Sequence, residues 1–275
     1  MNRDWYGDWQ DGEHAQQLDG RAALPDRSLI RNFERFSDVP LLGERLQALP
    51  DPRVLEVGCG TGEFYRYLRL KHPRMSYAGF DIARPAILSA RRKYPQGRFF
   101  ASDPAHTVSE TLEASGLDPQ WPVVYSKDVV HHQTDPFGFL AQLIEVCSDS
   151  LIFRTRTRDK GPTLVDPDRS CQYHYQGWMP FIVLNIDEII DQIRRRAPDS
   201  EIVIYRNHMV LGGKENRFLP KECYLPETGT AETAVGIFRK SPRRDRVHLV
   251  DRTEAQCPSV PLPDRIHLLL RRRWP

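Results

Sequence analysis

The chain has 275 residues, a formal net charge of +2, 40% hydrophobic residues and 28% charged residues. That is enough chain for a sizeable core in one large or two small domains, with the composition of an ordinary globular protein. The small charge supplies no global field for a nucleic-acid partner, and no apolar run approaches the roughly 20 residues of a membrane span. Cys59, Cys147, Cys171, Cys223 and Cys257 are scattered and lack CxxC spacing, so neither a disulfide framework nor a structural zinc site is expected. The start MNRDWYGDWQDGEH lacks the basic and apolar regions of a secretory leader. The expected compartment is therefore the reducing cytoplasm.

Residues 1–27 are polar and aromatic without periodicity. Ser28 is placed to cap a short helix over LIRNFERF, and Asp38 to cap a second through LLGERLQAL. Asp51-Pro52 then breaks the chain. From there strands and helices alternate. RVLEVG (53–58) reads as a strand and EFYRYLRLKH (63–72) as a helix ended by Pro73. MSYAGFDI (75–82) is a second strand and PAILSARRKY (85–94) a helix opened by Pro85. GRFFAS (97–102) is a third strand, SETLEASG a helix, and PVVYS (122–126) a fourth strand. Asp135 caps a helix with Phe137, Leu140, Ile144 and Cys147 on one stripe. SLIFRTR (150–156) is a fifth strand.

Such alternation predicts βαβ units, hence an α/β fold with a mostly parallel sheet covered on both faces. Residues 157–184 are rich in Pro, Gly and aromatic residues. Asn185, with Glu188 three residues on, opens a further helix. EIVIYRN (201–207) and ETAVGIFRK (232–240) read as late strands forming an antiparallel pair at the sheet edge. Residues 241–275 read as an extended tail with a weak helix at 265–273.

After the first strand comes EVGCGTGEF. Glycines there let backbone approach a ligand closely, at the strand end where open α/β sheets bind. A dinucleotide fingerprint counted from Gly58 would need glycine where Glu63 stands, and a carboxylate at a helix start repels a pyrophosphate. The Gly-Lys-Ser/Thr ending of a P-loop is missing too. Phosphate is thus a poor expectation for this loop.

The stretch VLEVGCGTG resembles the first motif of class I S-adenosylmethionine-dependent methyltransferases, well over 50–156 and loosely over 185–240. The resemblance implies a three-layer Rossmann-like sandwich with a seven-stranded, mostly parallel sheet and an antiparallel closing strand. It implies S-adenosylmethionine as cofactor and no metal. Gly58, Cys59, Gly60 and Gly62 would pass beneath its methionine part, with Glu56 holding the loop or the amino group. Asp81, ending the second strand in AGFDI, would accept hydrogen bonds from the ribose hydroxyls, with Ile82 beside the adenine. Asp103 would take the adenine amine, and Ser126 would meet the methionyl portion at the end of the fourth strand.

Methyl transfer from a sulfonium is an in-line displacement, so the protein must place a nucleophile near the methyl group and exclude water. A base is needed only where the nucleophile must lose a proton, and histidine suits that task near neutral pH. The segment DVVHH, with Asp128, His131 and His132, resembles the DVLHH of small-molecule members, where one histidine faces the cleft. Asp128, His131, His132 and Asp135 do not share one face, which speaks against a metal. Tyr173, His174, Tyr175 and Trp178 lie in the expected substrate segment. Arg154, Arg156 and Arg158 alternate along the fifth strand and would suit an anionic acceptor. Trp5, Tyr6 and Trp9 are candidates for a lid.

The expected organisation is a helical lid over 1–50, a core over 51–240 with an inserted substrate segment at 157–184, and a tail over 241–275. The expected activity is methylation of a hydroxyl on a small metabolite or sugar, with a histidine base. The expected partner is a small-molecule acceptor, with no membrane and no nucleic acid. The alternatives are methylation of nitrogen, a polymer acceptor such as glycan, protein or RNA, and cofactor binding without transfer.

Overall fold

The computed structural model describes residues 5–10, 24–174, 177–207, 217–220, 223, 231–243 and 245–251. A 3₁₀ turn at Gly7–Gln10 precedes helices α1 (Asp26–Glu34) and α2 (Asp38–Ala48). The alternating core then runs β1 (Arg53–Val57), α3 (Glu63–Lys71), β2 (Ser76–Asp81), α4 (Arg84–Lys93), β3 (Arg98–Ala101), α5 (Val108–Ala114) and β4 (Trp121–Lys127). A second 3₁₀ turn (Val130–His132), α6 (Pro136–Glu145) and β5 (Cys147–Arg158) follow. Beyond lie β6 (Cys171–His174), β7 (Gly177–Pro180), β8 (Leu184–Asn185), α7 (Ile186–Arg196), β9 (Glu201–Asn207), β10 (Arg217–Phe218), β11 (Ala231–Phe238) and β12 (Val247–Asp251).

Nine strands form the main sheet, in the order β12-β9-β11-β5-β4-β1-β2-β3, with β8 pairing β5. Seven strands were expected; β8 and β12 add two. β12 arises inside the stretch expected to be a tail and pairs parallel with β9. Of the late strands only β11 runs antiparallel, and it lies between β5 and β9 rather than at the edge. Residues 252–275, including Cys257 and the weak helix, lie outside the described residues.

The period-2 rule separates the two faces of the sheet. Leu55, Val124, Leu151 and Phe153 pack with Leu112 of α5, Leu140 of α6 and Ile189 of α7. Val54, Val123, Tyr125 and Ile152 pack on the other side with Phe33 of α1, Leu42 of α2, Phe64 of α3 and Ile87 of α4. A separate three-stranded sheet, β10-β6-β7, is built from the aromatic segment.

Two expected caps differ. Helix α1 starts at Asp26 after Pro25, so Ser28 lies within its first turn. Asp38 is fully buried, and its Oδ2 accepts from Tyr125 Oη at 2.5 Å instead of capping α2. By contrast, Asp135 caps α6 by accepting from Gly138 N at 2.9 Å, and Asn185 accepts from Asp187 N and Glu188 N. Helix α6 ends at Glu145, so Cys147 opens β5 rather than closing the helix stripe.

Candidate active site

The carboxyl ends of β1, β2, β3 and β4 open onto a cavity of about 620 Å³. Gly58 and Gly60 form one wall, both with positive φ (84° and 53°), a backbone region that glycine enters without strain. A Cβ on Gly58 would collide with Cγ2 of Val129, which lines the same cavity. Gly58→Ala is therefore expected to push the two loops apart and to weaken S-adenosylhomocysteine binding by about tenfold or more in calorimetry. Wild-type affinity would show that the loop does not need this close approach.

Asp81 faces the cavity from the end of β2. Its Oδ2 accepts from Gly60 N at 2.8 Å and its Oδ1 from Ala83 N at 2.9 Å. Burial pushes this carboxyl up, and those backbone N–H groups offset only part of the rise. Each oxygen keeps acceptor capacity for a ligand. Ile82 and Asp103 also line the cavity, and Asp103 Oδ1 accepts from Ala105 N at 2.9 Å.

The other loop positions lie behind the wall. Gly62, with φ 84°, starts α3 against Tyr94 and Phe99. Cys59 is buried, and burial pushes its thiol well up, so it is an inert packing thiol. Glu56 is buried beneath the loop and accepts from Tyr77 Oη at 2.5 Å. Burial raises its pKa to about 8, against the lowering effects of Tyr77 and Lys127. The folded state thus holds a proton that the unfolded chain releases near 4.5. Folding stability should fall as pH rises through that window, from about 4.5 to about 8. Glu56→Gln should flatten that part of a denaturation-versus-pH profile, and an unchanged slope would show another group to be responsible.

Ser126 is fully buried and donates to Val57 O at 3.0 Å, tying β4 to β1. It does not line the cavity; its neighbours Lys127 and Asp128 do. Asp128 has φ 58°, unusual for a side-chain-bearing residue. It accepts from Arg154 Nε at 3.0 Å, from Arg154 Nη2, and from Arg156 Nη1 at 3.1 Å. Burial would raise this carboxyl, but the two guanidinium groups outweigh it and hold it well below the usual range.

Arg154 is buried, away from the cavity, with Asp38 and Glu232 also within ion-pair distance and Phe36 beneath its guanidinium. Arg156 does line the cavity, bridging Asp128 and Glu232. Arg158 is buried near Cys223 Sγ. The alternation of the three along β5 holds, but Arg154 and Arg156 serve a buried charge network and Arg158 donates to a thiol.

His131 and His132 both line the cavity, with ring centroids 4.1 Å apart and Phe181 against both. His131 is buried, and its carbonyl accepts from Ile182 N at 2.8 Å. His132 Nδ1 lies 2.7 Å from Pro180 O. A carbonyl only accepts, so Nδ1 carries the hydrogen, and the neutral ring then presents a lone pair at Nε2. Among the described residues no group of three or more His, Cys, Asp or Glu could hold a metal ion.

The aromatic segment divides by strand alternation. Gln172 and Met179 line the cavity, while Tyr173 pairs with Trp178 at 5.4 Å and Trp178 with Phe218 at 5.3 Å on the other side of the small sheet. His174 ends β6; Tyr175 lies outside the described residues. Cavity-lining residues that sequence reasoning did not single out include Lys127, Thr134, Gln142, Gln172, Met179 and Phe181. Lys127 sits beside a residue already in view; Gln172 and Met179 follow from alternation only once the hairpin register is known.

At the cavity mouth, Tyr6 Oη is 3.1 Å from Thr134 Oγ1 and accepts from Thr134 N. Trp9 stands edge-on to His132 and packs against Ala83 and Ala86. Helices α1 and α2 lie instead on the sheet face, away from the cavity.

Residues 55–150 match the family model of a methyltransferase domain. This stretch is similar to methyltransferase domains, and the sheet around it has the Rossmann-like order such domains share. The chain is 30% identical over 136 residues to a biotin biosynthesis bifunctional protein of Bordetella avium, across 44% of this chain and 28% of that one. It is 32% identical over 65 residues to a tRNA (guanine-N(7)-)-methyltransferase of Prochlorococcus marinus, across 24% of this chain and 31% of the relative. The chain thus spans less than a third of the length of these curated relatives. An O-methyltransferase from a polyketide synthase multienzyme of Brevibacillus brevis superposes with a TM-score of 0.53 at 12% identity, covering 82% of this chain and 78% of that chain. That likeness shows the fold. Among the described residues no helix is long and apolar enough to cross a membrane.

Proposed function

We propose that this chain transfers a methyl group from S-adenosylmethionine to a hydroxyl of a small-molecule acceptor, with His132 as the base. The observation that carries this reading is the shared cavity. Gly58, Gly60, Asp81 and Asp103 line it together with His131 and His132. The cofactor supplies an electrophilic methyl group on sulfur. Asp81 and Asp103 offer carboxylates to hydroxyl and amine donors, and the glycine loop allows close backbone approach. Pro180 O fixes the His132 ring so that Nε2 can accept a proton from the acceptor hydroxyl as it attacks. His131, packed on Phe181 and buried, supports that ring.

Tyr6 and Trp9 make the residues around the first 3₁₀ turn a lid that keeps water from the reacting centre. Acceptor contacts fall to Gln172, Met179 and Arg156, with the base beside them. The site is metal-free in this reading, so a chelator should leave turnover intact.

Histidine variants test the assignment. His132→Ala should lower turnover of a hydroxyl acceptor by about 100-fold or more, while His131→Ala retains a larger fraction. Affinity for S-adenosylhomocysteine should persist in both. Equal, near-normal turnover would remove the histidine base, and failure to form any methylated product across hydroxyl acceptors would overturn the activity itself.

A further inference from the structure

A second cavity, of about 360 Å³, lies at the opposite end of the strands, where β1, β2, β3 and β4 begin. Its floor is buried and aromatic: Tyr65, Tyr77 and Trp121, the first two with ring centroids 4.8 Å apart. Its polar wall carries three cations, Arg53, Arg69 and Arg98 on β1, α3 and β3, with the neutral Ser76 and Gln96 beside them. No carboxylate lines it. Arg53 sits 4.9 Å from the Trp121 ring centroid and pairs with Asp118, so one of the three charges is met from the rim. Arg69 donates only to a neutral group, Pro73 O at 2.5 Å. The guanidinium of Arg98 lies near the Phe100 ring.

The contrast with the first cavity is chemical. That one carries Asp81, Asp103, Asp128 and Asp135 beside Lys127 and Arg156. The second concentrates positive charge in a chain whose net charge is only +2. The last turns of α3 and α4 also carry basic residues, but Lys71 pairs with Glu34, Lys93 with Glu63, and Arg91 donates to Phe99 O, so the pocket's own cations are Arg53, Arg69 and Arg98. Guanidinium groups present forked donors that match phosphate oxygens in pairs. The buried ring floor gives apolar contact to the body of a small ligand.

We propose that this pocket binds a phosphorylated small molecule, at a site separate from methyl transfer. Arg69 and Arg98 would hold the phosphate, with Arg53 fixed by Trp121 as the third donor. The proposal does not depend on the acceptor.

The experiment is calorimetric titration of the full chain with inorganic pyrophosphate, with S-adenosylhomocysteine saturating the first cavity. Saturable binding is expected, weakened about tenfold or more by the double substitution Arg69→Gln and Arg98→Gln. Both side chains are exposed at the pocket rim, so the variant should keep its melting temperature and its S-adenosylhomocysteine affinity. Restoring charge with Arg69→Lys and Arg98→Lys should recover part of the affinity. Absence of saturable binding overturns the proposal, as does equal affinity in the glutamine variant. Displacement of pyrophosphate by a single-stranded RNA oligomer with a steep salt dependence would overturn the small-molecule assignment.

Discussion

Replacing Asp81 by Ala is expected to lower affinity for S-adenosylhomocysteine by about 100-fold or more, because two charge-assisted hydrogen bonds of about 1.5–3 kcal/mol each are at stake. The expectation rests on geometry. Both oxygens are already held by Gly60 N and Ala83 N, which aims their remaining lone pairs into the cavity. Part of the loss will come from the loop itself, since Gly60 loses its anchor. Asp81→Asn separates the two contributions: it keeps one acceptor oxygen and should fall between wild type and Asp81→Ala. Unchanged affinity in calorimetry would sink the assignment of Asp81 to a ribose diol. A loss of melting temperature matching the loss of affinity would instead make Asp81 a loop anchor only.

The largest stability effect is expected at Arg154. It is buried among Asp128, Asp38 and Glu232, three carboxylates brought from the turn after β4, from α2 and from β11 to one strand. Removing one partner of a buried ion cluster strands the others, at a cost of about 3–5 kcal/mol. For a chain of this size Arg154→Met should lower the melting midpoint on the order of 10 °C, read by calorimetry or circular dichroism. Arg156 still reaches Asp128 and Glu232, so the loss should centre on Asp38, whose other partner is Tyr125. The double variant Arg154→Met with Asp38→Asn should then recover part of the midpoint. A midpoint unmoved in the single variant would show that the cluster contributes nothing net.

The parts of the fold that repeat locally were legible. Strand periods, the Asp135 and Asn185 caps and the glycine loop all depend on residues within a few positions of each other, and each appears where expected, while the stripe of α6 stops short of Cys147. The carboxylates at the ends of β2 and β3 were legible for the same reason: they follow directly on strand ends that the pattern marks. What sequence could not supply was register and long-range charge pairing. Asp38 has the residue type of a cap, yet its partners Tyr125 and Arg154 lie 87 residues and more away. Tyr173 and Trp178 look like cavity walls until the β6–β7 pairing turns them to the outer side, with Gln172 and Met179 inward. Ser126 has the polarity of a ligand contact, but the pleat at the end of β4 turns it toward Val57.

The peptide groups that hold the paired histidines have a consequence for how acceptor preference can change. His131 O accepts from Ile182 N, His132 Nδ1 donates to Pro180 O, and Phe181 lies between them against both rings. Residues 180–182 and the histidine turn are thus held as one unit, so under the proposed reading the acceptor wall and the base would move together. A graft that exchanges residues 170–184 with those of another enzyme would disturb the histidine geometry along with the pocket wall. Chimaeras that leave 129–134 behind should bind new acceptors without turning them over, whereas chimaeras that move both segments should trade one acceptor for another.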